Sequence, residues 1–117
     1  NISSIAGKEV YENGNVYCAS KFGVDAATQG MRLDLNPYNI KVTCVNPGLV
    51  KTGFSNVRFK GDEEKAESVY KGLDPLIAKD IAEVVKFALD RPANVALTDI
   101  TVLAAAQASA KTVNRKG

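Results

Sequence analysis

Ile40-Lys41-Val42-Thr43-Cys44-Val45-Asn46-Pro47-Gly48-Leu49-Val50-Lys51-Thr52 is the stretch on which the fold class of this chain turns. Positions 40 to 45 alternate β-branched with small or polar side chains, the two-residue period of a strand. Pro47 has no amide to offer a ladder and Gly48 permits close backbone approach, so the strand is expected to stop there in a turn. In an open parallel sheet, such a turn at the end of a strand is where ligands are usually bound.

On the N-terminal side, residues 1–4 read as the end of an earlier strand that carries Ser4 to its tip. A polar loop over 5–14 follows, with Asn13-Gly14 as its turn signal. A helix is expected from about 16 to 35, with small residues Ala19, Gly23, Ala26, Ala27 and Gly30 on one side. Asn36-Pro37 ends it, and Asn39 stands where a left-handed turn residue belongs.

Beyond Thr52 an irregular stretch is expected to about residue 62, then a charged helix to about 71 that Pro75 separates from the next. The helix over 79–90 places Ile81, Val84, Val85, Ala88 and Leu89 on one face, although Ile77 and Ala78 offer no capping oxygen. Arg91-Pro92 stops it, and 97–103 reads as the last strand. The order (β)–α–β–α–α–β is that of an α/β protein with a parallel sheet and crossover helices.

Tyr17 and Lys21 are four residues apart on the first helix, so they share a face with Cβ atoms roughly 5–6 Å apart. Four Tyr and eleven Lys supply one such pair by chance about 0.4 times per chain, which makes the pair alone weak. Taken with Asn1-Ile2-Ser3-Ser4-Ile5-Ala6-Gly7 and Asn46-Pro47-Gly48-x-Val50-x-Thr52, the run Tyr17-x-Ala19-Ser20-Lys21 resembles the short-chain dehydrogenase/reductase family in order and spacing. The resemblance runs over essentially the whole chain. Phe54 to Asp62 and Gln107-Ala108-Ser109 resemble one branch more closely, the NADP-dependent serine/3-hydroxy acid (allo-threonine) dehydrogenases.

That resemblance implies a Rossmann-type doubly wound parallel sheet, of which residues 1–117 would form the C-terminal, catalytic half. No Gly-rich turn of the kind that holds a dinucleotide pyrophosphate follows any strand here, and the family carries one nearer its N-terminus. The chain is therefore expected to be a fragment or a truncated relative, lacking the dinucleotide-binding half upstream. The implied coenzyme is NADP, with NAD the other candidate.

At 117 residues the chain suits one domain, and a chain of this size buries roughly 65% of its unfolded surface. A net charge of +2, without a basic cluster interleaved with aromatics, does not argue for nucleic acid. No apolar run approaches the ~20 residues of a membrane span, and no signal peptide is visible. Cys18 and Cys44 have no metal-ligand spacing and read as reduced packing thiols of a cytoplasmic protein. The absence of His excludes His-based catalysis within this chain.

Chemically, a free phenol titrates near ~10 and is a poor base at neutral pH. A lysine ammonium about 4 Å away, at an effective dielectric near 20, favours the phenolate by about 4 kcal/mol. By resemblance, Tyr17 exchanges a proton with the substrate oxygen, Lys21 assists it and holds the nicotinamide ribose, and Ser4 hydrogen-bonds the substrate oxygen. Pro47, Gly48 and Val50 approach the nicotinamide through their backbones, and Thr52 bonds its carboxamide.

Each role has a plainer rival. Tyr17 is otherwise a half-buried helix residue and Lys21 a solvated one. Ser4 caps a turn, with Ser3 its competitor for the catalytic place, and Thr52 caps a helix. Arg58 meets a substrate carboxylate or is a solvated or internally paired cation. The run Asp62-Glu63-Glu64-Lys65 is a solvated helix start, and the tail from Lys111 to Gly117 is expected to be mobile unless it docks on a neighbouring subunit.

Lys51 and Lys79 stand where the branch usually has acids, and Ala104-Ala105 where it commonly has Pro-Thr. The expected activity is hydride transfer between NAD(P) and a small 3-hydroxy acid such as serine or allo-threonine. The alternatives are a 3-oxoacyl thioester reductase and a non-catalytic oligomerisation module. The helix over 16–35 implies, through the family, a homo-oligomer, either dimer or tetramer.

Overall fold

A computed structural model describes residues 1–116, the side chains of Ser55 and Asn56 apart. Its elements are helix α1 (Asn15–Leu35), strand β1 (Cys44–Pro47), helices α2 (Phe54–Arg58), α3 (Glu63–Ser68) and α4 (Ala78–Leu89), and strand β2 (Asp99–Val102). Short 3-10 turns occupy Ile5–Gly7 and Asn36–Tyr38. The strands pair in parallel, Cys44 opposite Asp99 and Pro47 opposite Val102, with α2 to α4 in the crossover. On the other side of β1, Ile2 forms a parallel bridge with Val45. The α/β class is as the sequence predicts.

The central strand starts four residues later than the alternation suggests and ends two later, so Pro47 belongs to it. The hydrogen-bond pattern explains why. Cys44 N–H donates to Thr98 O (3.0 Å) and Gly48 N–H to Val102 O (2.8 Å), so even-numbered amides face β2. Val45 N–H donates instead to Asn1 O (2.9 Å), and Ser3 N–H to Val45 O (2.8 Å). Pro47 takes the odd phase, so the N–H it lacks is one that β2 never uses.

The stretch expected to be irregular contains α2, whose first turn Thr52 caps by accepting the Phe54 N–H (3.2 Å). Asp62 caps α3 through Lys65 N–H (3.0 Å). Ile77 has no oxygen to cap α4, and Asp80 compensates by accepting the Ile77 N–H (2.8 Å). Asn39 is left-handed (φ 57°), as its position predicts.

The tail does not hang free. Lys116 N–H donates to Gly72 O (2.7 Å), and Arg115 Nη1 reaches Val69 O (3.0 Å) and Lys71 O (2.7 Å). Gly72 has φ 76°, and a Cβ there would stand 2.5 Å from Lys116 O, so glycine is what lets the tail dock on its own chain.

The buried apolar core is made of small side chains: Ala6, Cys18, Cys44, Val45, Ala66 and Ala104. No residue of α4 is buried, and Leu89, expected on its packed face, is 78% exposed. The accessible surface is 7708 Å², against about 6,200 Å² for a free-standing protein of this mass. The radius of gyration, 15.7 Å, also exceeds the roughly 13 Å of a compact chain of this length. Burial thus falls short of the 65% expectation, at about 57% of the unfolded surface. Val16, Phe22, Met31, Leu33, Phe87 and Leu89 are among the large apolar side chains left exposed.

Candidate active site

The helix α1 is held close against the N-terminal segment at Gly7. A Cβ on Gly7 would meet Ser3 Oγ at 2.6 Å and Lys21 O at 2.9 Å, so the 3-10 turn lies directly on the α1 backbone. Ser3 is 4% exposed and donates its hydroxyl to Lys21 O (3.1 Å). Ser3 thus gives its hydroxyl to the α1 backbone, whereas Ser4 donates to no partner among the described residues, and both border one cavity. Ser4 Oγ accepts the Ala6 N–H (3.0 Å), which makes it a turn cap too, but its own O–H remains available to donate.

That cavity, about 660 Å³, is walled by Ser4, Tyr17, Pro47, Gly48, Val50 and Thr52 together with Tyr11 and Arg58. Residues from the N-terminal segment, α1, the turn after β1 and α2 therefore meet at the end of the central strand. Lys21 is not on the cavity wall; its ammonium lies over the Tyr17 ring, 5.8 Å from the centroid. Arg58 adds a second cation, its guanidinium carbon 5.4 Å from the same centroid. Cations over a ring face are attracted to its electron density. Phe54 packs on the ring at 5.5 Å between centroids.

The turn after β1 is shaped by Gly48 and Gln107. A Cβ on Gly48 would run into Gln107 Oε1 and Leu103, so the position accepts no side chain. Gln107 Oε1 accepts the Leu49 N–H (3.0 Å), fixing the turn against the C-terminal segment. Its Nε2 is buried without a partner among the described residues. Val50 and Leu76 form a parallel bridge, and Tyr70 Oη donates to Val50 O (3.1 Å). Lys51 pairs loosely with Glu67 at 3.8 Å on the surface.

Four residues to which the sequence pattern assigns no role hold this frame. Asn46 is fully buried, and its Nδ2 donates to Asp99 Oδ1 (2.9 Å) and Ile100 O (3.4 Å). Lys8 bridges Asp99 Oδ2 and Asp25 Oδ1, each at 3.0 Å. This Asn46–Asp99–Lys8–Asp25 clasp links β1, β2, the loop after Ser4 and α1. No local pattern announces it, because its members are far apart in the chain.

For Asp99, burial favours the neutral acid, but hydrogen bonds from Asn46 and Lys8 and the charges of Lys8 and Arg32 outweigh it and hold the carboxyl below its usual value. For Lys8, burial opposes the charge, and the bonds and charges of Asp25 and Asp99 overcome it and raise the ammonium. Stability from Asp99 is thus present above its unfolded value near pH 3.8 and lost as pH falls through its lower folded value. Stability from Lys8 is present below 10.5 and lost as pH rises through its higher folded value. Thermal unfolding midpoints should be flat in the neutral range and fall at both ends. In Lys8→Met the alkaline fall should shrink, as measured by calorimetry across pH.

Both cysteines are free and buried. Among the described residues no cluster of His, Cys, Asp or Glu could hold a metal, and no helix is long and apolar enough to cross a membrane. A separate apolar groove, bounded by Leu76, Val84, Phe87, Ile100 and Val102, contains none of the candidate residues.

Ser4, Tyr17 and the Pro47–Thr52 turn thus border one cavity, with Lys21 over the Tyr17 ring. Residues 1–63 match the family model for the short chain dehydrogenase, and the chain belongs to that family. It is 46% identical over 116 residues to the NADP-dependent 3-hydroxy acid dehydrogenase of Schizosaccharomyces pombe, covering 99% of this chain and 45% of that protein. With the NADP-dependent 3-hydroxy acid dehydrogenase of Escherichia coli strain K12 it shares 40% identity over 111 residues, 94% of this chain and 45% of the other. The closed form of a serine dehydrogenase complexed with NADP+ superposes with a TM-score of 0.90 at 40% identity, covering 99% of this chain and 48% of that one. The chain thus spans about half the length of the relatives it matches.

Proposed function

We propose that this chain is the catalytic half of an NADP-dependent oxidoreductase that moves a hydride between the coenzyme and the alcohol carbon of a small 3-hydroxy acid, such as serine or allo-threonine. The observation that carries this reading is the single cavity shared by Ser4, Tyr17 and the Pro47–Thr52 turn, with Lys21 over the Tyr17 ring. The names of the relatives, two 3-hydroxy acid dehydrogenases and a serine dehydrogenase, support the substrate class.

In this reading Ser4 donates its hydroxyl to the substrate oxygen, and Tyr17 takes the alcohol proton during oxidation or returns it during reduction. Lys21, whose ammonium lies over the Tyr17 ring, would assist that transfer. Gly48, with no room for a side chain, suits a turn that a flat ring approaches through the backbone, so Pro47, Gly48 and Val50 would hold the nicotinamide and Thr52 its amide. Tyr17 and Lys21 would hold the adjoining ribose. The coenzyme supplies the hydride acceptor.

The remaining dinucleotide contacts would come from the other half of a Rossmann-type domain. The excess exposed surface and the lack of a Gly-rich turn support that division. A Cβ added to Gly23 would meet nothing within 4 Å, and Ala19 and Ala27 on the same helix are exposed. That open face of α1 supports a homo-oligomer.

Incubating the whole protein with NADP+ and L-serine or L-allo-threonine should generate NADPH, followed by absorbance. Acetoacetyl thioester with NADPH is the comparison. Faster turnover of the thioester than of either hydroxy acid would overturn the substrate class.

A further inference from the structure

Arg58 closes α2 and is half-buried in the cavity that contains Ser4 and Tyr17. Its guanidinium lies against two tyrosine rings, with Cζ 5.4 Å from the Tyr17 centroid and 5.5 Å from that of Tyr11. Nη1 donates to Tyr11 Oη (2.8 Å). An arginine so placed has already lost much of its rotamer freedom, and its planar fork still has N–H groups to give.

Among the described residues no carboxylate pairs with it. Among the described residues the ion-paired cations are Lys8, Lys51, Lys79 and Lys86. The cavity wall carries the cations Arg58, Lys65, Lys111 and Arg115 against one carboxylate, Glu12. Three of these cations are committed or remote from Tyr17. Arg115 gives its Nη1 to the Val69 and Lys71 carbonyls, Lys65 lies over Phe59, and Lys111 is exposed over the Tyr11 ring. Arg58 alone of the four touches the Tyr17 ring.

We propose that Arg58 is the substrate-binding residue that takes the carboxylate of the hydroxy acid while Ser4 and Tyr17 take its hydroxyl. This rests on the dehydrogenase reading above and adds to it the source of selectivity. A fork beside the proton-transferring ring ties the anion to the neighbourhood of the reacting carbon, so a short hydroxy acid satisfies both ends at once. An acyl thioester offers Arg58 no anion there.

The test compares wild type, Arg58→Met and Arg58→Lys in the whole NADP+-loaded protein, with L-serine and L-serine methyl ester as probes. In Arg58→Met, kcat/KM for serine should fall roughly 10- to 100-fold, mainly through KM, while the ester changes less than about 3-fold. Arg58→Lys keeps the charge without the fork and should lose less than Arg58→Met on serine alone. NADP+ affinity, titrated by fluorescence, should stay the same in all three.

An equal fall on acid and ester would overturn the proposal, since it means that Arg58 acts only through Tyr17 or through folding. No fall on serine would overturn it as well. A wild-type protein that oxidises the ester but not serine would sink the carboxylate role and leave the dehydrogenase reading standing. Wild type inactive on both probes and on the thioester would remove that reading, and this one with it.

Discussion

Replacing Tyr17 by Phe should reduce turnover by a factor of about 100 to 10,000 while changing NADP+ affinity only a few-fold. The range is that of a positioned general acid–base group. Phe retains the ring, so packing on Phe54 at 5.5 Å and the two flanking cations lose little. The hydroxyl itself has no hydrogen-bond partner among the described residues, so its removal leaves no buried donor or acceptor behind. Activity is the quantity that should move. Steady-state kinetics with serine, alongside coenzyme titration, checks this, and a variant with wild-type turnover would show that another group transfers the proton.

A second large effect is expected at Asn46, and it concerns stability. Asn46→Ala should lower the unfolding free energy by about 2–4 kcal/mol. The side chain is 0% exposed and gives its amide to a carboxylate, a bond stronger than a neutral pair. Its loss also removes one of the two partners that hold Asp99 and opens a cavity between β1 and β2. Urea unfolding should show the midpoint falling with the slope unchanged. Asn46→Asp should be worse, because it sets a second carboxylate against Asp99. A midpoint within error of wild type in Asn46→Ala would mean that Lys8 alone secures Asp99.

What can be read from the sequence depends on the range of the interaction. The Tyr17–Lys21 register follows from 3.6 residues per turn, so two letters four apart suffice. Asn39 before the strand and Asp62 at a helix start are equally local and fall where expected. The limits of β1 depart from the alternation because a strand ends where its partners end. Cys44 enters the sheet through Thr98, and the place of Pro47 depends on which neighbour its missing amide would have faced. The tail departs from expectation for a similar reason, since its order comes from Gly72, far away in the chain.

The order of strand and helix patterns determined the α/β class, because periodicity and turn residues are written in nearby positions. The spacing of Ser4, Tyr17, Lys21 and the Pro47–Thr52 turn carried the family resemblance from which the candidate chemistry follows. Spacing to Tyr17 favours Ser4 over Ser3, whereas the hydroxyl bond from Ser3 to Lys21 O was visible only in the tertiary structure. Arg58 against Tyr11, Asn46 against Asp99 and Gln107 against Leu49 bridge 47, 53 and 58 positions of sequence. No local propensity encodes such meetings. They exist only once the parallel crossover has brought these distant segments of the chain together.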